Sequence, residues 1–426
     1  MAIKPMLRFC GLFFAASLAI LLSQNSSAQE AGPAAAAVDF EIPATDEGLA
    51  GKGPIRRYPW FRELWQKKRS GWAGQVAQDQ QAIVFFGDSI TQGWGDQFHG
   101  FFPELKKANR GISGDTTRGM LLRLEADVLS LQPTAIVMLM GTNDLEEGAE
   151  PETIAHNFDL ILAAIRAAQP ATPIVVCNVF PSSASKQRPA AKIKQVNKLY
   201  AEAARQYDHV TVLDTWTLFA DKQGDAKPAD FPDLLHPNGA GYAKWAAALR
   251  PLFATLELVE TDKDAFEPET GFELLFNGRD LTGWGFDGQT ASPDGRYQVI
   301  HGRLVVTTPP EGRRVQQLWS SQEFPGDFVL KLEFRATPNA DSGVFIRKPQ
   351  LQCRDYPLAG PYTELKNYKP QDWNELVITV TGKTAHCTCN GEVLEAAFKL
   401  PDSGPIGLEG DRGQMEYRRI RIYTGS

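Results

Sequence analysis

Ser89, His236 and Asp233 are the residue types that serine-based acyl transfer requires. Ser89 lies in Gly87-Asp88-Ser89-Ile90-Thr91, directly after the apolar run 82–86. A serine hydroxyl is a weak nucleophile at neutral pH and needs a base. His236, in Asp233-Leu234-Leu235-His236-Pro237-Asn238, is a candidate base. Asp233, three residues earlier, can hold the imidazole in the needed tautomer and stabilise its cation. Attack on a carbonyl builds an oxyanion, which needs hydrogen-bond donors. The backbone N–H groups of Ser89 and Gly114 and the side-chain amide of Asn143 can supply three. The bland alternative for Ser89 is a helix cap.

These residues act together only if the fold brings them to one edge. Apolar runs at 82–86, 135–140, 174–179 and 210–213 read as strands, and a short strand is expected before Asn109-Arg110. Between them, Leu121, Leu124, Val128 and Leu131 recur at helical spacing. So do Ile154, Phe158, Ile161 and Ile165, and then Ile193, Val196, Tyr200 and Ala203. Alternating strands and helices predict a three-layer α/β domain around a parallel sheet, closed by a helix with Tyr242, Trp245, Leu249 and Phe253. Polar turns after its strands then share the edge where ligands bind. A helix broken or bent near Gly71, its aromatics Trp60, Phe61, Trp65 and Trp72 in the core, should precede the first strand. Trp94, Phe98, Phe101 and Phe102 read as core before acyl pocket.

Gly87-Asp88-Ser89, the turn at Gly114, Gly141-Thr142-Asn143-Asp144 and Asp233-x-x-His236 together resemble the four blocks of the SGNH (GDSL) hydrolases over roughly residues 58–254. Asn109 to Arg118 further resembles the branch containing platelet-activating-factor acetylhydrolase catalytic subunits. The resemblance implies a flavodoxin-like sheet of order 2-1-3-4-5 and metal-free hydrolysis of small acyl esters. It implies Ser89, His236 and Asp233 as catalytic residues, favouring Asp233 over the nearby Asp230. It also implies Ser89, Gly114 and Asn143 as the oxyanion hole. Asp88 is expected to brace the turn, and Asp144 and Arg118 to pair.

A chain of 426 residues suggests two domains plus a leader. Lys4, Arg8, the apolar Gly11–Leu22 stretch and Ser26-Ser27-Ala28 read as a secretory signal over 1–28, hence a secreted or periplasmic protein. The alternative is a membrane anchor. Residues 29–57 read as a flexible lead-in, 58–255 as the esterase domain and 256–269 as an acidic linker. From 270 to 426 the pattern alternates, as in Phe328, Leu330, Leu332 and Phe334, and Asn390-Gly391 signals a hairpin. An all-β sandwich is expected there. Leu275 to Trp284 and Asp341 to Arg347 resemble the 3-keto-disaccharide hydrolase domain family. That resemblance implies a concanavalin-like jelly roll in contact with sugars.

The net charge of -7 gives no reason to expect nucleic acid as partner. Cys353, Cys387 and Cys389 allow one disulfide and one free thiol. No cofactor and no metal is expected, His386-Cys387-Thr388-Cys389 being a weak metal signal. The reading is a secreted serine esterase acting on acylated carbohydrate or another small ester. Two alternatives for the β-domain stay open: cleavage of 3-keto-glycosides, or non-catalytic carbohydrate binding.

Overall fold

The computed structural model describes residues 40–259, 266–286, 296–307, 316–355 and 360–425. The expected signal segment 1–28 and residues 260–265 of the expected linker lie outside these.

Five parallel strands form the first sheet: β1 (Ile83–Gly87), β2 (Lys107–Gly111), β3 (Ala135–Leu139), β4 (Ile174–Cys177) and β5 (Val210–Leu213). Their spatial order is β2-β1-β3-β4-β5. The sheet is apolar on both faces because helices cover both. Val84, Phe86, Ile136, Met138, Ile174 and Val176 face the helices Thr117–Asp127, Pro151–Ala168 and Ala190–Ala204. The alternate residues Ile83, Phe85, Val137, Val175 and Cys177 face Trp94, Phe98 and the helix Gly239–Thr255 through Trp245, Leu249 and Phe253. Trp94, Phe98 and Phe102 are therefore core. Each such side chain contributes roughly 1.5–3 kcal/mol of burial.

The first helix, Pro59–Ala73, breaks at Gly74, three residues past Gly71, before a short second helix, Val76–Asp79. One interior glycine costs a helix only about 1 kcal/mol. Phe61 and Trp65 are buried as expected, but Trp60 is half exposed. The lead-in is fixed from Phe40 onward, without regular structure. Ile42 and Ile55 are buried with Phe61, Trp65 and Ile112, and Arg118 donates to Ala50 O and Gly53 O. That use of Arg118, with its ion pair to Asp46, replaces the expected pairing with Asp144. Asp144 instead accepts from Thr117 N and Oγ1.

The C-terminal domain is two antiparallel sheets packed face to face. One runs Gln350–Arg354, Asp341–Ile346, Pro405–Leu408, Leu318–Glu323, Trp284–Gly285. The other is centred on Asn374–Thr381, Phe328–Ala336 and Met415–Tyr423. Leu330, Leu332, Phe334, Ile378, Val344 and Leu408 fill the space between. Asn390 and Gly391, both at positive φ, close the expected hairpin between Thr384–Cys389 and Glu392–Lys399. Cys387 and Cys389 are two apart on one strand, facing the core, while His386 points out to solvent. No disulfide forms among the described residues: Cys353, Cys387 and Cys389 are buried free thiols. Among the described residues no group of three His, Cys, Asp or Glu could hold a metal ion. No described helix is long and apolar enough to cross a membrane.

The second domain docks on the C-terminal end of the Gly239–Thr255 helix. Arg335 donates to Pro251 O at 2.7 Å and to Glu416 at 2.6 Å, and Thr255 hydrogen-bonds Glu416. A guanidinium suits the negative end of a helix dipole. The other end of this helix, 17 residues away, borders the site described next. At 1.5 Å per residue the two ends are about 25 Å apart.

Candidate active site

Ser89 sits at the end of β1, in the first turn of a short helix, Ser89–Gln92. Its N-cap is Asp88, whose Oδ1 accepts the N–H of Ile90 at 2.9 Å. The cap role is thus taken by the aspartate, which leaves the Ser89 hydroxyl free for another partner. The turn leaves no room at position 87. A Cβ there would lie 2.2 Å from Thr91 Oγ1 and 2.4 Å from Leu139 O. Two further groups hold the turn. Arg123, fully buried, donates from Nη2 to Gly87 O at 3.0 Å. Tyr242 Oη donates to Ile90 O at 2.8 Å.

His236 and Asp233 reach Ser89 from the loop before the last α/β helix. His236 Nε2 lies 2.9 Å from Ser89 Oγ, and His236 Nδ1 lies 2.7 Å from Asp233 Oδ2. A ring nitrogen beside a carboxylate carries the proton, which leaves Nε2 to accept from the serine hydroxyl. Asp233 Oδ1 also accepts the N–H groups of His236 at 2.7 Å and Leu235 at 3.0 Å. Burial pushes the Asp233 carboxyl up, but these N–H groups and the imidazole outweigh it and hold it at about 2. Asp233 therefore stays anionic at any working pH. Asp230 is engaged elsewhere: both its oxygens accept from Lys244 Nζ, at 2.9 and 2.7 Å.

Gly114 and Asn143 follow β2 and β3 on the same edge. Gly114 has φ +86, and a Cβ there would meet Trp60 Cη2 at 2.6 Å. Asn143 donates one N–H to Asp115 O at 2.9 Å, and its Oδ1 accepts from Arg188 Nη2 at 3.3 Å. Its amide carries two N–H groups, of which Asp115 O accepts one. Arg188 also donates from Nε to Thr142 O at 3.0 Å. The Gly114 turn is anchored through Asp115, which pairs with Arg123 at 2.7 Å with neither side chain exposed. Burial pushes Asp115 up to about 7, against the pull of Arg123.

A cavity of about 420 Å³ opens above Ser89 and His236, walled by Gln92, His99, Ser113, Asn238 and Tyr242. A larger cleft of about 1310 Å³ lies between the domains, lined by Arg250, Arg335, Trp373 and Arg418 among others. Its lining has no hydroxyl or imidazole, whereas the smaller cavity is lined by both Ser89 and His236. The sequence did not single out His99, Gln92, Tyr242, Arg123 or Arg188. His99 contacts Gly93 O at 2.8 Å and packs on Tyr242. Only Tyr242 carried a signal, its place on the helical stripe with Trp245.

The buried Asp88 gives the site a cost that depends on pH. Its Oδ2 has no hydrogen-bond partner among the described residues. Burial raises its carboxyl from 3.8 to about 6, against the pull of the Ile90 N–H. Between those values the native state binds more protons than the unfolded chain, so stability falls as pH rises. Asp88→Asn removes this slope. The loss of unfolding free energy between about pH 4.5 and about pH 8 should shrink by about 2 kcal/mol. Urea unfolding at both pH values measures it, and an unchanged slope would contradict the burial account.

Comparison with known proteins agrees with this architecture. Residues 85–244 match the GDSL-like lipase/acylhydrolase family, and residues 271–423 match a 3-keto-alpha-glucoside-1,2-lyase-like domain. Platelet-activating factor acetylhydrolase IB subunit alpha2 of Homo sapiens is 30% identical over 205 residues, 47% of this chain and 88% of that protein. Subunit alpha1 of Rattus norvegicus is 28% identical over 209 residues, 48% of this chain and 89% of that protein. A GDSL-like lipase structure from Bacteroides thetaiotaomicron is 23% identical with a TM-score of 0.39, covering 44% of this chain and 97% of its own.

Proposed function

Since the chain belongs to the GDSL-like lipase/acylhydrolase family, we propose that it is a secreted or periplasmic serine esterase that removes acetyl or similarly short acyl groups from carbohydrate. The contact of 2.9 Å between Ser89 Oγ and His236 Nε2, continued to Asp233, supports this reading above all.

Ser89 Oγ attacks the ester carbonyl carbon while its proton passes to His236 Nε2. The oxyanion is held by the N–H groups of Ser89 and Gly114 and the side-chain amide of Asn143. As the tetrahedral intermediate collapses, the C–O bond to the alcohol breaks and His236 protonates the departing oxygen. The acyl group is now on Ser89. His236 then takes a proton from water, the hydroxide attacks the acyl carbonyl, and the acid leaves as Ser89 regains its proton. Asp233 holds the imidazole and balances its charge at each protonation.

Short acyl groups fit the modest cavity, and the relatives are named acetylhydrolases. Carbohydrate as the alcohol is supported by the 3-keto-alpha-glucoside-1,2-lyase-like domain. That domain docks toward the far end of the Gly239–Thr255 helix, which is about 25 Å long and borders the site at its other end. A tethering role suits it better than a share in the ester chemistry. Acetate release from acetylated oligosaccharides, set beside hydrolysis of nitrophenyl esters of increasing chain length, tests the proposal. Acetate should appear, and rates should fall as the acyl chain lengthens. No hydrolysis of any ester would end it.

A further inference from the structure

Beside this site stand two aromatic side chains that the fold leaves open. Tyr58 is 48% exposed and Trp60 50% exposed, although the neighbouring Phe61 and Trp65 are fully buried. Their rings are nearly parallel, 14° apart, with centroids separated by 6.3 Å. Single exposed aromatics are ordinary on a protein surface. A matched pair against a reactive edge is not, since each half-exposed ring forgoes about half of the roughly 1.5–3 kcal/mol of full burial.

The pair abuts the oxyanion side of the site. Trp60 Cη2 packs against Gly114, where even a methyl group would collide. Ser113, one residue earlier, lines the same cavity as Ser89 and His236. The pair is also held in place. Tyr58 Oη donates to Glu147 Oε2 at 3.3 Å, and Glu147 Oε1 accepts from Arg56 Nε at 2.7 Å. Arg56 pairs in addition with Glu146, which Arg188 Nη2 reaches at 2.9 Å while contacting Asn143. One chain of charged contacts therefore runs from the aromatic pair to the candidate oxyanion donor.

We propose that Tyr58 and Trp60 form a subsite that stacks the pyranose ring bearing the ester. The proposal rests on the esterase reading above. A pyranose has an apolar C–H face and a hydroxyl rim. The C–H face suits an aromatic ring, while Glu147 and the Tyr58 hydroxyl are placed to meet the rim. A fatty chain would instead need an enclosed apolar groove, and this surface is open with carboxylates and guanidinium at its edge. The subsite holds the alcohol portion of the substrate on the oxyanion side of the reacting carbonyl.

Steady-state kinetics on two acetate esters test this: an acetylated methyl pyranoside, and ethyl acetate, whose leaving group has no ring. Trp60→Ala should lower kcat/KM on the sugar ester by about tenfold or more, mostly through KM, and leave ethyl acetate within about twofold. Trp60→Phe, which keeps a stacking face, should recover much of the loss. Equal losses on both esters would show a structural role and overturn the subsite. No loss on either would assign the pair to a different surface, such as a contact with another protein, and would overturn it too. Failure of the wild-type protein to hydrolyse either ester would instead remove the esterase reading itself, and the subsite with it.

Discussion

Ser89→Ala is expected to lower kcat on acetyl esters by about 10⁵-fold or more. The only hydroxyl in contact with His236 Nε2 among the described residues is that of Ser89, so no other group can take its place in line with the base. His236→Ala should cost a similar factor, because an unactivated serine is nearly inert at neutral pH. The two losses should not add. Nucleophile and base act in one step, so the double variant should be no slower than either single one within about threefold. The remaining rate would come from the oxyanion donors and substrate positioning. Long time courses with protein matched for fold measure all three. A Ser89→Ala protein working near the wild-type rate would dismiss the mechanism.

Asp233→Asn should cost about 10²–10³-fold in kcat, less than a deeply buried triad aspartate would. Both partners are nearly half exposed, 44% for the His236 side chain and 47% for Asp233, so water shares the task of balancing the imidazolium. What the variant chiefly loses is tautomer control: an amide can present its N–H to Nδ1 and place the proton on Nε2. Asp230→Asn gives the contrast. It weakens the contacts to Lys244 but reaches no atom of the imidazole, so kcat should stay within about tenfold. A larger loss at 230 than at 233 would reverse the two roles. Asp233 itself holds stability that is present above its ordinary value of 3.8 and is lost as pH falls through about 2. Its exposure keeps that contribution small.

The parallel sheet was legible because four of its strands, all but the edge strand Lys107–Gly111, are apolar runs, and strand ends carry the polar turns at Ser89, Gly114 and Asn143. A buried run ending in glycine announces both a strand and the edge where it stops. The supports of the site were not legible. Arg123, Arg188 and Arg56 look like surface arginines in a sequence, and only the fold reveals that each is buried against carboxylates and carbonyls. Trp60 fell into the aromatic stripe of its helix, yet it stands one position off the face that buries Phe61, Trp65 and Arg69. Ile42 and Ile55 were too sparse in a Pro- and Ala-rich stretch to signal that the lead-in packs. The disulfide suggested by cysteine number ignored strand geometry. Cys387 and Cys389 lie two apart on one strand, both turned into the core, and with Cys353 they stay buried free thiols.

The acyl-transfer account meets its most direct test in covalent labelling. A serine-directed phosphonate, followed by intact-mass measurement and peptide mapping, should add one adduct, on Ser89. The Ser89→Ala protein should remain unmodified, and His236→Ala should label far more slowly than the wild type. An adduct on another serine, or labelling that survives loss of Ser89, would contradict the account.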